Sequence, residues 1–526
     1  MSWITSAGGG CVRLLLANNR SKTTQKHIIL LFMLFLRAGH LKVTPEQLTG
    51  LPMSLPHHLP QNEQGLIRCL AFDFGAGSGR AMLGCLDGTT LSLEEVHRFK
   101  TATYMHNGQL CWDADSLYRG LEVGLDKARR HGPLHSVGID SWGVDFGLLD
   151  EAGQLVTPPL HYRNGHGMRG LARGVLPLEE MHRLTGAQCL NINTVYQLLA
   201  LTERTPELLD RTKSLLMISD LMTAHLTGKY LTEHTLASTS GLFDQKRGDW
   251  HWKLLSRLGF PDHIFPPVVM PGTVCGRLRE AFRGNQDSET VVIAVGAHDT
   301  ASAVAGLDLA PDDAFLILGS WSLLGVENDT PIYDDRTQCH GFGNEGGVDG
   351  THRLITNING LYLIQSLRDS WEALYGVSLE YSDITEAARE TEVTESLRVD
   401  PNDKRFFSSE NMIHAIDLFC AEREIALPSG LGEYAVAIYR GLADQVVSKL
   451  DVLECVFERP VGRIHVGGGG SQDSVLCENI AMATGKPLCF GATEASAYGN
   501  VLMQCCGLGV VNSLSDARKL LPKRIV

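Results

Sequence analysis

The segment Gly296-Ala297-His298-Asp299-Thr300-Ala301-Ser302-Ala303 sets a polar triplet between a β-branched run and a run of small residues. Its single carboxylate, Asp299, has two compatible readings. Asp is favoured as the N-cap of a helix. A carboxylate at a helix start is also kept ionised by the helix dipole and the free N–H groups. An ionised carboxylate aimed into a cleft is what a hydroxyl nucleophile needs as its base.

Asp73-Phe74-Gly75-Ala76-Gly77-Ser78-Gly79-Arg80 offers different chemistry. Small residues at a strand–turn–strand let backbone N–H groups come close to an anion. Ser78 can add a hydroxyl and Arg80 a bidentate charge. Asp73 repels phosphate but can hold a hydrated Mg²⁺ beside it. A plain glycine-rich hairpin accounts for the same residues. A dinucleotide fingerprint is excluded, because Arg80 stands where its last glycine belongs, and no Walker A loop occurs anywhere in the chain. The turn Gly319-Ser320-Trp321 repeats the theme with one hydroxyl. Gly467 to Gly470 gives a flat backbone surface between a strand and a helix, where a nucleotide or merely a flexible turn would fit. Amides and aromatics suited to sugar hydroxyls occur in Trp142-Gly143-Val144-Asp145, in Asn193-Thr194-Val195-Tyr196-Gln197 and in Asn357-Ile358-Asn359-Gly360.

These loops need strands and helices to hold them. Apolar runs predict strands over 66–74, 81–86, 136–140, 144–150 and 291–295. Helical spacing puts Leu117, Leu121, Leu125 and Ala128 on one face. Helices are also predicted over 194–202 and 220–226, and from about Asp299. The second half opens in the same way, with strands over 314–318 and 321–326 on either side of a turn. Helices over 360–374 and 433–457, a strand over 463–466, and helices over 472–484 and 494–506 follow. The pattern is a coarse duplication of two α/β halves, with a boundary between about Gly306 and Asp313.

The chain has 526 residues, with 46 basic against 60 acidic side chains and a net charge of −14. That balance disfavours a nucleic-acid surface or a polybasic membrane patch. The 13 cysteines are scattered, with no zinc-knuckle or CxxC spacing, and read as reduced thiols of a cytoplasmic protein. Residues 1–64 differ from the rest. Six Lys and Arg residues precede the first acid, Glu46, and flank the apolar run Ile28 to Leu36. That run is too short to span a bilayer, which takes about 20 residues. The stretch reads as a basic, apolar extension outside the fold, disordered or upstream of a true start near Met53.

In order and spacing, the segments quoted above resemble the FGGY carbohydrate kinases. Gly138 to Phe146, Asn344-Glu345-Gly346-Gly347, Gln365 and Pro401 to Phe406 extend the likeness, which runs from about residue 66 to 510. The resemblance implies two ribonuclease-H-like domains of the actin-like ATPase type, 65–308 and 309–526, closing on an interdomain cleft. It implies ATP with Mg²⁺ as donor and a small sugar, a ketose, as acceptor, in a monomer or homodimer that needs neither nucleic acid nor membrane. Asp299 would be the general base. Ala76, Gly77, Ser78, Gly79, Arg80, Ser320, Gln365 and Gly469 would contact the nucleotide. Gly143, His298, Asp299, Thr300 and Asn357 would contact the sugar, with Asp73 near the metal. Ser320 replaces the threonine usual in the family's turn and keeps the hydroxyl.

Overall fold

The computed structural model describes residues 65–522, apart from 285–287, 334, 393–395, 408 and 493. The expectations for residues 1–64 fall outside the described residues.

Cys69 to Phe72 is buried on both sides, as an uninterrupted apolar run requires of a central strand, and the burial continues through Asp73 to Phe74. It lies in β1 (Ile67–Phe74), which turns tightly into β2 (Ser78–Asp87) and then β3 (Thr90–Lys100). The sheet is completed by β4 (Ser136–Ser141), β5 (Val274–Arg277) and β6 (Val291–Ile293). The spatial order is β5-β6-β4-β1-β2-β3. β1 is antiparallel to β2 but parallel to β4, and β4 is parallel to β6.

The second half repeats this plan. β7 (Ala314–Ile317), β8 (Trp321–Asn328), β9 (Gly343–Gly346), β10 (His352–Asn359), β11 (Ile464–Gly467) and β12 (Leu488–Phe490) form a sheet of order β9-β10-β8-β7-β11-β12. The shared core is an antiparallel three-strand meander followed by two parallel strands, the ribonuclease-H-like arrangement. The duplication seen in the sequence is therefore a duplication of topology.

Four helices bear on the site. The amphipathic α1 (Ala114–Ala128) covers one face of the first sheet with Leu117, Leu121 and Leu125, packing on Phe72 and Phe74. Each such fully buried side chain contributes about 1.5–3 kcal/mol. α2 (Asp299–Ala305) follows β6 after a short extended segment. α3 (Leu431–Phe457) runs through the core of the second half. α4 (Ala495–Gly507) lies late in the chain, yet it packs Ala497, Val501 and Cys505 on Ala71, Met82 and Ile293 of the first sheet. The two sequence halves are thus interleaved: the second returns a helix to the first.

α2 and α4 cross with backbone nearly touching backbone. A Cβ on Gly499 would overlap the carbonyl of Ser302, and one on Gly306 would overlap that of Ala495. Among the described residues, no helix is long and apolar enough to cross a membrane.

Two local expectations change. The strand expected from Val144 begins at Phe146 instead and joins a separate sheet with Leu155–Thr157 and Ser214–Met217. Val144 itself has φ +67°, a costly conformation for a β-branched residue. Thr239 Oγ1 accepts from its N–H at 3.1 Å, while its carbonyl accepts from Thr194 Oγ1 at 2.7 Å and Gln197 Nε2 at 3.3 Å. These bonds hold a turn that alternating hydrophobicity cannot announce. The other change concerns Asp299. The N-cap is His298, so Asp299 is the first residue inside α2, and its carboxylate is not spent as the cap.

Candidate active site

The carboxyl ends of the parallel strands in the first sheet converge on three acids. Register pairs Asp73 on β1 with Asp140 on β4. A single parallel bridge joins Ser141 to His298, extending the sheet by one position and bringing Asp299 alongside. Ligands of open α/β sheets bind beyond such strand ends.

Asp299 keeps 31% of its side chain exposed. Burial and the charge of Asp73 outweigh the opposing pull of His298 and Arg353 and push its acid up to about 6. It is still mostly ionised near neutral pH, but more basic than an ordinary aspartate.

Asp140 is fully buried. Its Oδ2 accepts from Asn500 Nδ2 at 2.6 Å, and its Oδ1 has no partner among the described residues. Burial and Asp73 hold its acid well above the usual carboxylate range. Asp73 accepts from Arg80 at 2.5 Å and from Ser496 Oγ at 3.0 Å. Arg80 also pairs with Glu494. The expected phosphate contact of Arg80 would therefore compete with two carboxylates.

An orphaned buried oxygen beside a second carboxylate suits a divalent cation. Among the described residues, no three His, Cys, Asp or Glu side chains converge tightly enough to cage one. The donor set thus fits Mg²⁺ held by one or two carboxylates together with water and phosphate, that ion's usual habit.

The glycine loops are placed as follows. A Cβ added at Gly77 or at Gly469 would meet no heavy atom within 4 Å, so both face open space. Gly470 N–H donates to the Leu318 carbonyl at 3.0 Å, which seats the 467–470 turn against the Gly319–Ser320 hairpin. Gly468 has φ +81°, and a Cβ there would overlap that same carbonyl, so the turn requires glycine. Ser320 Oγ donates to Gln365 Oε1 at 3.2 Å, joining two residues expected to contact nucleotide. Trp321 beside them is 53% exposed and lies 5.4 Å from the Tyr362 ring.

The sugar-like texture divides into framework and surface. Asp145 accepts from Trp112 Nε1 at 2.6 Å, Trp142 Nε1 at 3.1 Å, Gln197 Nε2 at 2.9 Å and the Tyr162 N–H at 3.2 Å. All of those groups face inward, and Trp142 is 6% exposed. They shape the wall around Gly143 rather than presenting free donors. Gly143 lies close against Thr239. Asn357 is exposed and donates to Gln188 Oε1 at 3.0 Å, a partner from the first half that no sequence pattern announces. His298 is largely buried. Its Nδ1 faces Glu345 at 2.9 Å, and its Nε2 lies 3.5 Å from Asp299. Glu345, Arg353, Gln188 and Glu494 were not among the sequence-derived site residues. Glu345 and Arg353 also pair with each other eight positions apart, but the partners of the four in the opposite half lie 47 to 414 positions away, beyond any local pattern.

Paired ribonuclease-H-like sheets, one ending in carboxylates and the other in glycine turns, define a two-domain phosphotransferase of the actin-like type. Residues 68–306 match the N-terminal domain of the FGGY family of carbohydrate kinases and residues 314–508 match its C-terminal domain. The chain belongs to the FGGY family and is a carbohydrate kinase.

A rhamnulokinase of Oceanobacillus iheyensis is 35% identical over 456 residues, covering 86% of this chain and 96% of that protein. One from Yersinia pestis is 36% identical over 462 residues, covering 86% and 92%. Solved structures share the fold at low identity. The xylulose kinase of Lactobacillus acidophilus superposes with a TM-score of 0.71 at 16% identity, covering 87% of this chain and 92% of that one. Plasmodium falciparum glycerol kinase with ADP also gives 0.71, at 14% identity, covering 86% and 92%.

Proposed function

We propose that this kinase transfers the γ-phosphoryl group of ATP to the primary hydroxyl of L-rhamnulose, forming L-rhamnulose 1-phosphate and ADP. The observation that carries the reaction is that, of the three strand-end acids, Asp299 is the accessible one. Two relatives named rhamnulokinase, each matched over more than nine-tenths of its length, support the choice of sugar.

Asp299 takes the hydroxyl proton as the sugar oxygen attacks phosphorus, and the bond to the ADP oxygen breaks in line. Asn357 and the wall around Gly143 orient the sugar. The 467–470 turn, Ser320 and Gln365 seat the nucleotide. Ala76 to Gly79 offer N–H groups to the transferring phosphoryl group, and Arg80 is released to it from Asp73 and Glu494. Asp73 and Asp140 would hold Mg²⁺ together with water, and the ion would supply positive charge against the phosphates. Closing the site against water keeps a competing acceptor out. A cytoplasmic location is the reading supported by the cysteines, since the twelve described ones are free.

ADP release with Mg-ATP tests the assignment, comparing L-rhamnulose with L-fuculose, D-xylulose and glycerol. Turnover strongest with L-rhamnulose is expected. A stronger response to another sugar would move the substrate and leave the reaction intact. ADP release that ignores every sugar would overturn the kinase mechanism.

A further inference from the structure

The segment 297–300 is gripped from two sides. Behind it, Glu233 Oε2 accepts from the Ala297 N–H at 3.2 Å, and Thr235 Oγ1 accepts from the His298 N–H at 3.0 Å. These contacts come from the same half of the chain. In front, the contacts come from the other half. Glu345 Oε2, on β9, lies 2.9 Å from His298 Nδ1 and accepts from Arg353 Nη2, on β10, also at 2.9 Å. Arg353 Nη1 donates to Thr300 Oγ1 at 2.8 Å, and its Nε donates to the Gly346 carbonyl at 3.0 Å. The Arg353 side chain is 0% exposed. A guanidinium is costly to bury, and this one is compensated by Glu345 and by fixed acceptors.

The ring of His298 stands between two carboxylates. Nδ1 serves Glu345, while Nε2 is 3.5 Å from Asp299. Nδ1 also lies 3.1 Å from Thr300 Oγ1 and 3.4 Å from Arg353 Nη2, so ring, hydroxyl and guanidinium form one network with Glu345. The charged or titratable groups that act on Asp299 include Asp73 from β1, Asp140 from β4, Tyr162, His298 and Arg353. Of that set, His298 and Arg353 are both tied to Glu345.

We propose that Glu345 and Arg353 are positioning residues for phosphoryl transfer: from the second half of the chain, acting through His298 and Thr300, they fix the orientation of Asp299 in the first. The inference rests on the reading of Asp299 as the base. Its consequence is that the base is aligned only where β9 and β10 meet the start of α2.

A double-mutant cycle tests it. Glu345→Gln keeps the size of the side chain and an acceptor oxygen but removes the charge. It is expected to lower kcat about 10²-fold, the cost of a slight misplacement of a reacting group, with KM for ATP little changed. In an Asp299→Asn background the same change is expected to have almost no further effect, because the group it positions is gone. Equal losses in both backgrounds would mean a merely structural role and would overturn the proposal. An unchanged kcat in Glu345→Gln beside a disabled Asp299→Asn would overturn it while leaving the base intact. Full activity in Asp299→Asn would instead overturn the base and, with it, this inference. If Glu345→Gln loses its cooperative melt, His298→Gln carries the same cycle, since it interrupts the path at the ring. Glu345→Asp should recover part of the lost kcat.

Discussion

Two residues before the hairpin glycine, the central strand of the first sheet carries Asp73, paired with Asp140. At the matching place in the second sheet, Ile317 is paired with Gly467. The scaffold is the same: a meander, a tight turn and two parallel strands. What differs is the chemistry loaded at the strand ends. The first half gathers acids, and the charge of Asp73 raises the proton affinity of Asp140 and Asp299. The second presents hydroxyl, amide and bare backbone. One sheet is built to handle a proton and a cation, and the other to lie flat against a large anion. The duplicated fold thus supplies two strand-end platforms, and a handful of side chains at equivalent positions decides what each platform does.

That contrast can be broken from either side. The largest effect is expected from Asp299→Asn, which removes the proton acceptor but keeps shape and hydrogen bonding. Steady-state kinetics should show kcat down about 10²- to 10⁴-fold, with KM for ATP and the melting temperature nearly unchanged. A pH profile sharpens the same point. The Asp299 acid is pushed up to about 6. The base works only when deprotonated, so activity is present above that value and lost below it. kcat/KM for the sugar should fall about tenfold per pH unit on the acid side. A limb near pH 4 would mean that the strand-end acids do not act on one another.

An acid placed in the second half should do the opposite of catalysis. Gly469→Asp meets no neighbour within 4 Å, so the fold should tolerate it. A carboxylate facing the polyphosphate is expected to raise KM for ATP about tenfold, or about 1.4 kcal/mol, with kcat little affected. The smallest effect is expected from Ser320→Ala. Losing one hydrogen bond of about 0.5–1.5 kcal/mol should raise KM for ATP a few-fold and leave the sugar KM alone.

Much of this is legible in the chain itself. Cys69 to Phe72 reads as a central strand because it is apolar without interruption, and the small-residue turns mark both hairpins. Asp299 stands out because it is the single acid in the polar triplet at a strand–helix junction. Other features depend on distance in space. Nothing near Glu345 signals that it will meet His298, and nothing near Gln188 points to Asn357. Val144 reads as strand because β-branched residues usually are, and its positive φ exists only because Thr239, Thr194 and Gln197 hold it there. Asp299 reads as a helix cap, since Asp often is one, and the one-residue offset that frees its carboxylate is set by the bridge from Ser141 to His298.

The late helix α4 gives the protein a timetable. It supplies Asn500 to Asp140, Ser496 to Asp73 and the glycine against which α2 lies. The acids it serves leave the ribosome 360 and 423 residues before their partners. A nascent chain therefore carries every strand of the first sheet, and Asp299 itself, long before the face formed by Ala71, Met82 and Ile293 is covered. Until residues 495–507 arrive, the active site is written but not assembled, and a chain that stops short of them carries Asp73 and Asp140 without the Ser496 and Asn500 bonds that hold them.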